Sequence, residues 1–310
     1  MALTEREITL FSPLIAAKPK IRSYPGWTTG SGLEEFNQIT IPWGLRIKKQ
    51  AWESSHQPFL IRWLMGLLLY VYPPEDESTR VIYLTGYFEP NEFNIFKKFL
   101  EPRMVFLDVG ANMGLYSIFA SKKVGKSGLV VSIEPSSREF ERLQSNVEVN
   151  RLQNVKMIQV AVSRSEGEAD LLVATNDHAG HNTLGNFAYE GIILKQKEHV
   201  TVKTIDSIVS DLSLSRLDVI KMDIEGSEFF ALEGAKRTLQ KFKPVLMLEL
   251  FNETLKHQGC NGDMILQFLA SLGYIIYGFD EHGGLSKLNK VDGSSSQNIF
   301  AIHTLSKVKW

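Results

Sequence analysis

The sequence predicts an α/β fold, a mostly parallel sheet with helices on both faces. Two observations predict it. Short apolar runs at 105–107, 130–133, 155–160, 217–222 and 244–250 alternate with amphipathic stretches of helical length, the pattern of βα units whose strands are buried on both sides. The first two runs also end on acids, Asp108 and Glu134. The first opens through Val109-Gly110-Ala111-Asn112-Met113-Gly114 into a helix carrying Leu115, Ile118 and Phe119. A strand that turns through glycine into a helix is the opening unit of a nucleotide-type fold.

Taken in order, residues 1–80 read as an N-terminal extension, a substrate lid or dimer surface, ahead of the main domain at 81–310. Pro13, Pro19, Pro25, Gly26, Gly30 and Gly32 suggest an irregular arm. A helical turn is expected at 33–36 and a hairpin at 39–47, around Trp43-Gly44. A helix apolar on most faces is expected at about 57–72, ended by Pro73-Pro74. Trp27, Trp43, Trp52 and Trp63 are expected to pack in the core.

Residues 81–84 read as a strand, and Gly86-Tyr87-Phe88-Glu89-Pro90 turns the chain into a helix at 91–100. The helix at 137–150 points Phe140, Leu143 and Val147 inward. The third strand leads into Ala161 and Val162. An extra strand follows at 169–173, then a polar loop at 176–192 carrying His178 and His181. A partner strand at 200–202 and a helix at 205–210 precede the fourth strand, which exits through Asp223-Ile224-Glu225-Gly226. Then come a helix at 228–239, a fifth strand carrying Glu249, a helix at 263–272, and strands at 274–279 and 298–303.

A net charge of −1 gives no general attraction to nucleic acid or an anionic membrane. One cysteine, Cys260, excludes an intrachain disulfide and a cysteine-rich metal site. It fits a reducing, cytoplasmic setting. No signal-peptide pattern is read at the N-terminus. The most apolar run, 59–72, contains Arg62 and Gly66. It falls short of the roughly 20 residues a bilayer requires.

Two cofactor classes use such a glycine turn. A dinucleotide site wants G-x-G-x-x-G with pyrophosphate on the helix N-terminus. Here Asn112 stands where bare backbone is needed, and Asp108 would repel phosphate. S-adenosylmethionine (SAM) has no phosphate and carries an ammonium and a sulfonium, so an acid at the strand end suits it. Glu134 lies where ribose hydroxyls are caught in such folds, and a carboxylate accepts two hydroxyl hydrogen bonds. Asp108, Glu134, Asp223, Glu225 and Glu249 all fall at the C-terminal ends of strands, where ligands of these folds bind.

The chain resembles the FkbM-type family of SAM-dependent methyltransferases over about residues 81–285. The resemblance rests on the segment 85–90, on Asp108-Val109-Gly110-Ala111-Asn112-Met113-Gly114, on Glu134-Pro135, on Asn146 with Asn150, and on Lys221-Met222-Asp223-Ile224-Glu225-Gly226-Ser227-Glu228. It implies a class I methyltransferase, Rossmann-like sheet of seven strands with the last antiparallel, and methyl transfer to oxygen. Family members methylate hydroxyls of polyketides and sugars, and some relatives esterify peptide carboxylates. The expected cofactor-binding positions are Glu89, Asp108, Gly110, Ala111, Asn112, Gly114, Glu134, Pro135, Ala161, Val162 and Asp223.

The expected activity is SAM-dependent O-methylation of a small-molecule or peptide acceptor, at a hydroxyl or a carboxylate. The alternatives are a SAM sensor without turnover and an NAD-dependent oxidoreductase, the latter disfavoured by Asn112 and Asp108. An alcohol acceptor needs a base, and a carboxylate does not. His178 and His181 are the candidate bases. Asp223 and Glu225 straddle Ile224, point the same way in an extended turn, and grip the cofactor ammonium, orient the acceptor, or hold a divalent cation with Glu249. Lys221 is read as structural. No metal is expected, because carboxylates facing a cationic cofactor need no ion. A homodimer through the extension is the expected self-association, with no nucleic-acid or membrane partner.

Overall fold

A computed structural model of the chain describes residues 43–74, 76–187, 191–280, 283–290 and 296–308. The arm expected before them, with the turn at 33–36 and Trp27, lies outside the described residues. The N-terminal elements correct three expectations. Residues expected in a hairpin around Trp43-Gly44 begin helix α1 (Trp43–Ser54), whose Leu45, Lys48 and Trp52 recur at helical spacing and are shielded from solvent.

The expected helix at 57–72 is instead a hairpin, β1 (Phe59–Arg62) and β2 (Leu68–Val71). Leu67, Leu69 and Val71 are fully buried while Leu68 and Tyr70 are not, a period of two that a continuous apolar run conceals. The expected strand at 81–84 is helix α2 (Glu77–Thr85). Asp76 caps it by accepting from the Thr79 amide, and Gly86 ends it with φ of 81°. Helix α3 (Pro90–Phe99) follows as expected.

The main sheet is built from β3 (Val105–Val109), helix α4 (Leu115–Val124), β4 (Leu129–Ile133), helix α5 (Ser137–Val149) and β5 (Val155–Ile158). A smaller sheet then interrupts it. There β8 (Leu194–Lys203) lies between β6 (Ala161–Val162) and β7 (Gly167–Ala174), and a 3₁₀ turn (Asn176–His181) sits in the β7–β8 connection. The chain returns through helix α6 (Ile205–Asp211), β9 (Val219–Met222), helices α7 (Glu228–Glu233) and α8 (Lys236–Phe242), and β10 (Val245–Leu250). Last come helices α9 (Asn252–His257) and α10 (Gly262–Ser271) and strands β11 (Tyr274–Phe279), β12 (Leu285–Lys287) and β13 (Gln297–His303).

The single helix expected at 228–239 is two. Between them, a side chain at Gly234 would meet the Ser163 carbonyl oxygen at 2.3 Å, so glycine is required where the two backbones pass.

Strand order is β12-β11-β13-β10-β9-β3-β4-β5. The neighbours from β10 to β5 are parallel, and β13 is antiparallel to both β10 and β11. The seven strands of a class I methyltransferase sheet are therefore present, and β12 adds an eighth at the edge. Order reverses between β3 and β9, the switch point where such sheets bind ligands.

One sheet face packs Phe106, Val130 and Val219 under α3, α4 and α5. Trp63, Leu67 and Leu69 of the hairpin join that core. The other face packs Leu107, Val131 and Ile220 against α6, α7, α8 and α10. Trp52 and Trp63 are core residues. Among the described residues no helix is long and apolar enough to cross a membrane.

Candidate active site at the switch point of the sheet

The turn after β3 is shaped by three left-handed residues, Gly110 (φ 76°), Asn112 (φ 49°) and Gly114 (φ 88°). A side chain at 110 would fall 1.9 Å from the Asp223 carbonyl oxygen, and one at 114 would fall 2.4 Å from Leu143. Glycine is thus required by close packing against β9's exit and α5.

The turn's amides are all engaged. Gly110 and Ala111 donate to the Ile133 carbonyl at 3.0 and 2.9 Å, and Asn112 donates to Glu134 Oε2 at 2.8 Å. Met113 donates to Asn112 Oδ1 at 2.7 Å, and Gly114 to the Ala111 carbonyl at 2.8 Å. No amide of the turn is left to cradle a pyrophosphate, which is the physical reason the dinucleotide reading fails.

Glu134 is buried at the end of β4, its Oε1 accepting from the Ser136 amide at 2.9 Å. Burial and the nearby Glu139 push its pKa up to about 8 against those two amide donors. Each carboxylate oxygen keeps a second lone-pair direction for a hydroxyl. Pro135 follows it into α5. Ala161 and Val162 are buried in β6, paired to Val202 and Lys203.

Asp108, expected at a strand end, is the penultimate residue of β3. It is 1% exposed, within β3 and level with Ser132 and Lys221 on the neighbouring strands. Ser117 donates to its Oδ2 at 2.6 Å, and Oδ1 has no hydrogen-bond partner among the described residues. Burial pushes its pKa up, with Lys221 pulling against it.

Glu89 is left-handed (φ 42°, ψ 61°) at the start of α3 and accepts from the Tyr116 hydroxyl at 2.5 Å. A non-glycine residue held there costs about 1–3 kcal/mol, the kind of strain that clusters at functional sites. Burial pushes its pKa to about 7.

Lys221 is more than structural filler. Its ammonium is buried, 2.9 Å from Asp223 Oδ2 and 4.8 Å from the centre of the Tyr116 ring. Its pKa is raised: burial opposes the charge, but Asp223, Asp108 and Glu89 outweigh burial.

Asp223, Glu225 and Glu249 each bring a carboxylate oxygen within 4.8 Å of the others. They do not converge through an extended turn, since Glu225 is left-handed (φ 51°) and Gly226 follows with φ of 100°. Burial, then the charges of Asp223 and Glu225, hold Glu249 well above the usual range, so it carries a proton toward Asp223. Burial works against ionising Asp223, yet Lys221 and the bond from Glu249 outweigh it and lower its pKa. The trio is an oxygen-donor set for a hard cation, but Lys221 and the Glu249 proton already serve Asp223.

Of the two histidines, His181 joins this cluster, with Nδ1 3.1 Å from Glu225 Oε1. Burial would lower its pKa, but the Glu225 hydrogen bond and charge and the Asp223 charge raise it. The His178 ring lies 6.0 Å from that of His181.

The Methyltransferase FkbM domain matches residues 108–276. The chain belongs to the FkbM methyltransferase family. The chain is similar to Methyltransferase sdnD of Sordaria araneosa, 28% identical over 154 residues, 41% of this chain and 59% of that protein. The 2-O-methyltransferase NoeI of Sinorhizobium fredii is 26% identical over 46% of this chain and 61% of its own. The hexuronic acid methyltransferase AglP of Haloferax volcanii is 27% identical over 46% and 54%. The matches therefore span between half and two thirds of these relatives. The crystal structure of Methyltransferase FkbM from Methylobacillus flagellatus KT is 17% identical, with a TM-score of 0.39 over 83% of this chain and 57% of that one.

FkbM methyltransferases take their methyl group from SAM, and the residues fit that cofactor. The amide-saturated turn has nothing to offer a phosphate, the Asp108 Oδ1 acceptor lacks a partner among the described residues, and Glu134 retains acceptor capacity for a ribose diol.

Sequence reasoning missed the buried Glu139 and its partners. The available signal was Ser136-x-x-Glu139 at the start of α5, a capping-box spacing. Its side chains bond each other at 2.5 Å rather than the helix amides.

Proposed function

We propose that this FkbM methyltransferase is an O-methyltransferase acting on a hydroxyl of a small-molecule acceptor, with His181 as the base. The observation that carries the reading is the 3.1 Å contact between His181 Nδ1 and Glu225 Oε1, beside Asp223 at the switch point of the sheet. A carboxylate on Nδ1–H fixes the tautomer that leaves the lone pair on Nε2. An alcohol needs a group of this kind to take its proton as the new bond forms, and a carboxylate acceptor does not.

When bound, the cofactor supplies an electrophilic methyl on its sulfonium. Glu134 would hold the ribose hydroxyls, and Asp108, Glu89 and Asp223, the acids around Lys221, would be the groups available to the ammonium. Gly110, Ala111, Asn112, Gly114 and Pro135 would form the wall, and Ala161 and Val162 would flank the adenine. His181 accepts the acceptor's proton at Nε2 while Glu225 stabilises the imidazolium. Lys221 keeps Asp223 ionised next to this pair. His178 contributes to the acceptor side, and the extension ahead of the core-packed hairpin serves as a lid or as a dimer surface.

Two relatives have names that specify their transfers, to a hexuronic acid and to a 2-O position. Both support an oxygen acceptor. The test is incubation of the enzyme with methyl-labelled SAM and a panel of neutral polyols, uronic acids and carboxylic acids. Labelled methyl ethers are expected. Label appearing solely as base-labile esters would overturn the hydroxyl assignment.

A further inference from the structure

Glu139 is 1% exposed on the first turn of α5, yet it lies outside the site described above. Its Oε2 accepts from Ser136 Oγ at 2.5 Å and from Asn182 Nδ2 at 2.9 Å. Its Oε1 accepts from Arg138 Nε at 2.6 Å and lies 3.7 Å from Arg142 Nη1. Arg142 in turn reaches Asp76 at 2.9 Å, the cap of α2.

The two bonds on Oε2 join two halves of the site. Ser136 is the residue whose amide holds Glu134 Oε1 at 2.9 Å. Asn182 follows His181, and its own Oδ1 is fixed by the Ala174 amide at 2.9 Å. Thr183, next again, donates to the Glu225 carbonyl at 3.0 Å. Hydrogen bonds run from the Asn112 amide to Glu134 and on to the Ser136 amide, and from the hydroxyl of the same Ser136 through Glu139 to Asn182, beside His181.

We infer that Glu139 is a positioning residue that couples occupancy of the ribose site to the placement of the His181 segment. The inference rests on the reading of Glu134 and His181 given above. A buried carboxylate that has lost one of its donors seeks another, so it transmits small shifts at Ser136 to Asn182. The energy is that of a coupled network, in which a ligand at one end is felt at the other and the reverse.

The test is hydrogen exchange on the full chain, with adenosine as probe, because adenosine carries the ribose diol but neither sulfur nor amino acid. In the wild type, adenosine is expected to slow exchange both at residues 110–114 and at 174–183. In Asn182→Ala the slowing at 110–114 persists and that at 174–183 is lost, while affinity for S-adenosylhomocysteine (SAH) falls about fivefold or more. Glu139→Gln is expected to behave likewise. Asn182→Ala leaves the arginine pairs intact should that variant fold poorly. Equal slowing at 174–183 in wild type and Asn182→Ala overturns the coupling. No slowing at 110–114 in the wild type overturns the cofactor site itself, a separate failure read in the same experiment.

Discussion

Replacing Glu134 tests the cofactor site at its most specific point. Its two oxygens each hold one amide, from Asn112 at 2.8 Å and Ser136 at 2.9 Å, at a residue 5% exposed. A ribose diol adds one hydroxyl to each oxygen. A hydrogen bond contributes about 0.5–1.5 kcal/mol, or about 1.5–3 kcal/mol where Glu134 is ionised, and a pair on one group is not additive. Glu134→Ala also frees the Asn112 amide and loosens the turn. The expected loss in SAH affinity is about 2–4 kcal/mol, or roughly 30- to 1000-fold. Glu134→Gln keeps the shape and one acceptor, and should lose less. Titration calorimetry with SAH reads both, with circular dichroism to confirm folding. A loss below about 1 kcal/mol in a folded Glu134→Ala protein would refute the reasoning.

The remaining predictions concern the frame and the acids. Asn146 is fully buried; its Oδ1 accepts from the Tyr70 amide at 2.9 Å and its Nδ2 donates to the Met113 carbonyl at 2.9 Å. Asn146→Ala should therefore destabilise the protein by about 2–5 kcal/mol in urea unfolding, from two stranded backbone groups, and a loss under about 1 kcal/mol would contradict that. Gly110→Ala should abolish SAH binding or folding, because its side chain would fall 1.9 Å from the Asp223 carbonyl oxygen; normal binding would show that the turn is not packed this way. Methyl transfer should survive exhaustive EDTA treatment, since Lys221 and a protonated Glu249 already serve Asp223. Loss of turnover restored by Mg²⁺ or Mn²⁺ would make Asp223, Glu225 and Glu249 a cation site.

The strands and the cofactor turn were legible because a buried parallel strand leaves a continuous apolar run and its exit leaves acids and glycine. The N-terminal elements were not. Residues 59–71 are apolar apart from Arg62 and Gly66, so helix and hairpin leave nearly the same trace there, and pairing decides. The β-branched start of 81–84 pointed to a strand, but the Asp76 cap and the Gly86 stop outweigh it. Asp108, Glu134, Asp223, Glu225 and Glu249 were found from their place at strand ends, and His181 from its loop. Choosing His181 over His178 for the Glu225 contact needed the fold, because Glu225 meets it across 44 residues of chain. The Glu139 network was equally hidden, being assembled from α2, α5 and the β7–β8 connection.

The most direct measurement is the pH dependence of kcat for labelled methyl transfer to a hydroxyl acceptor, in the wild type and in His181→Ala. The folded His181 pKa lies above its usual 6.5, and imidazolium cannot take a proton. Turnover should therefore be full above that raised value and fall as pH drops through it. His181→Ala should lose about 10²- to 10⁴-fold in kcat, with SAH affinity nearly intact and the acid limb of the profile gone. Full kcat in His181→Ala, with an unchanged profile, would contradict the assignment of His181 as the base.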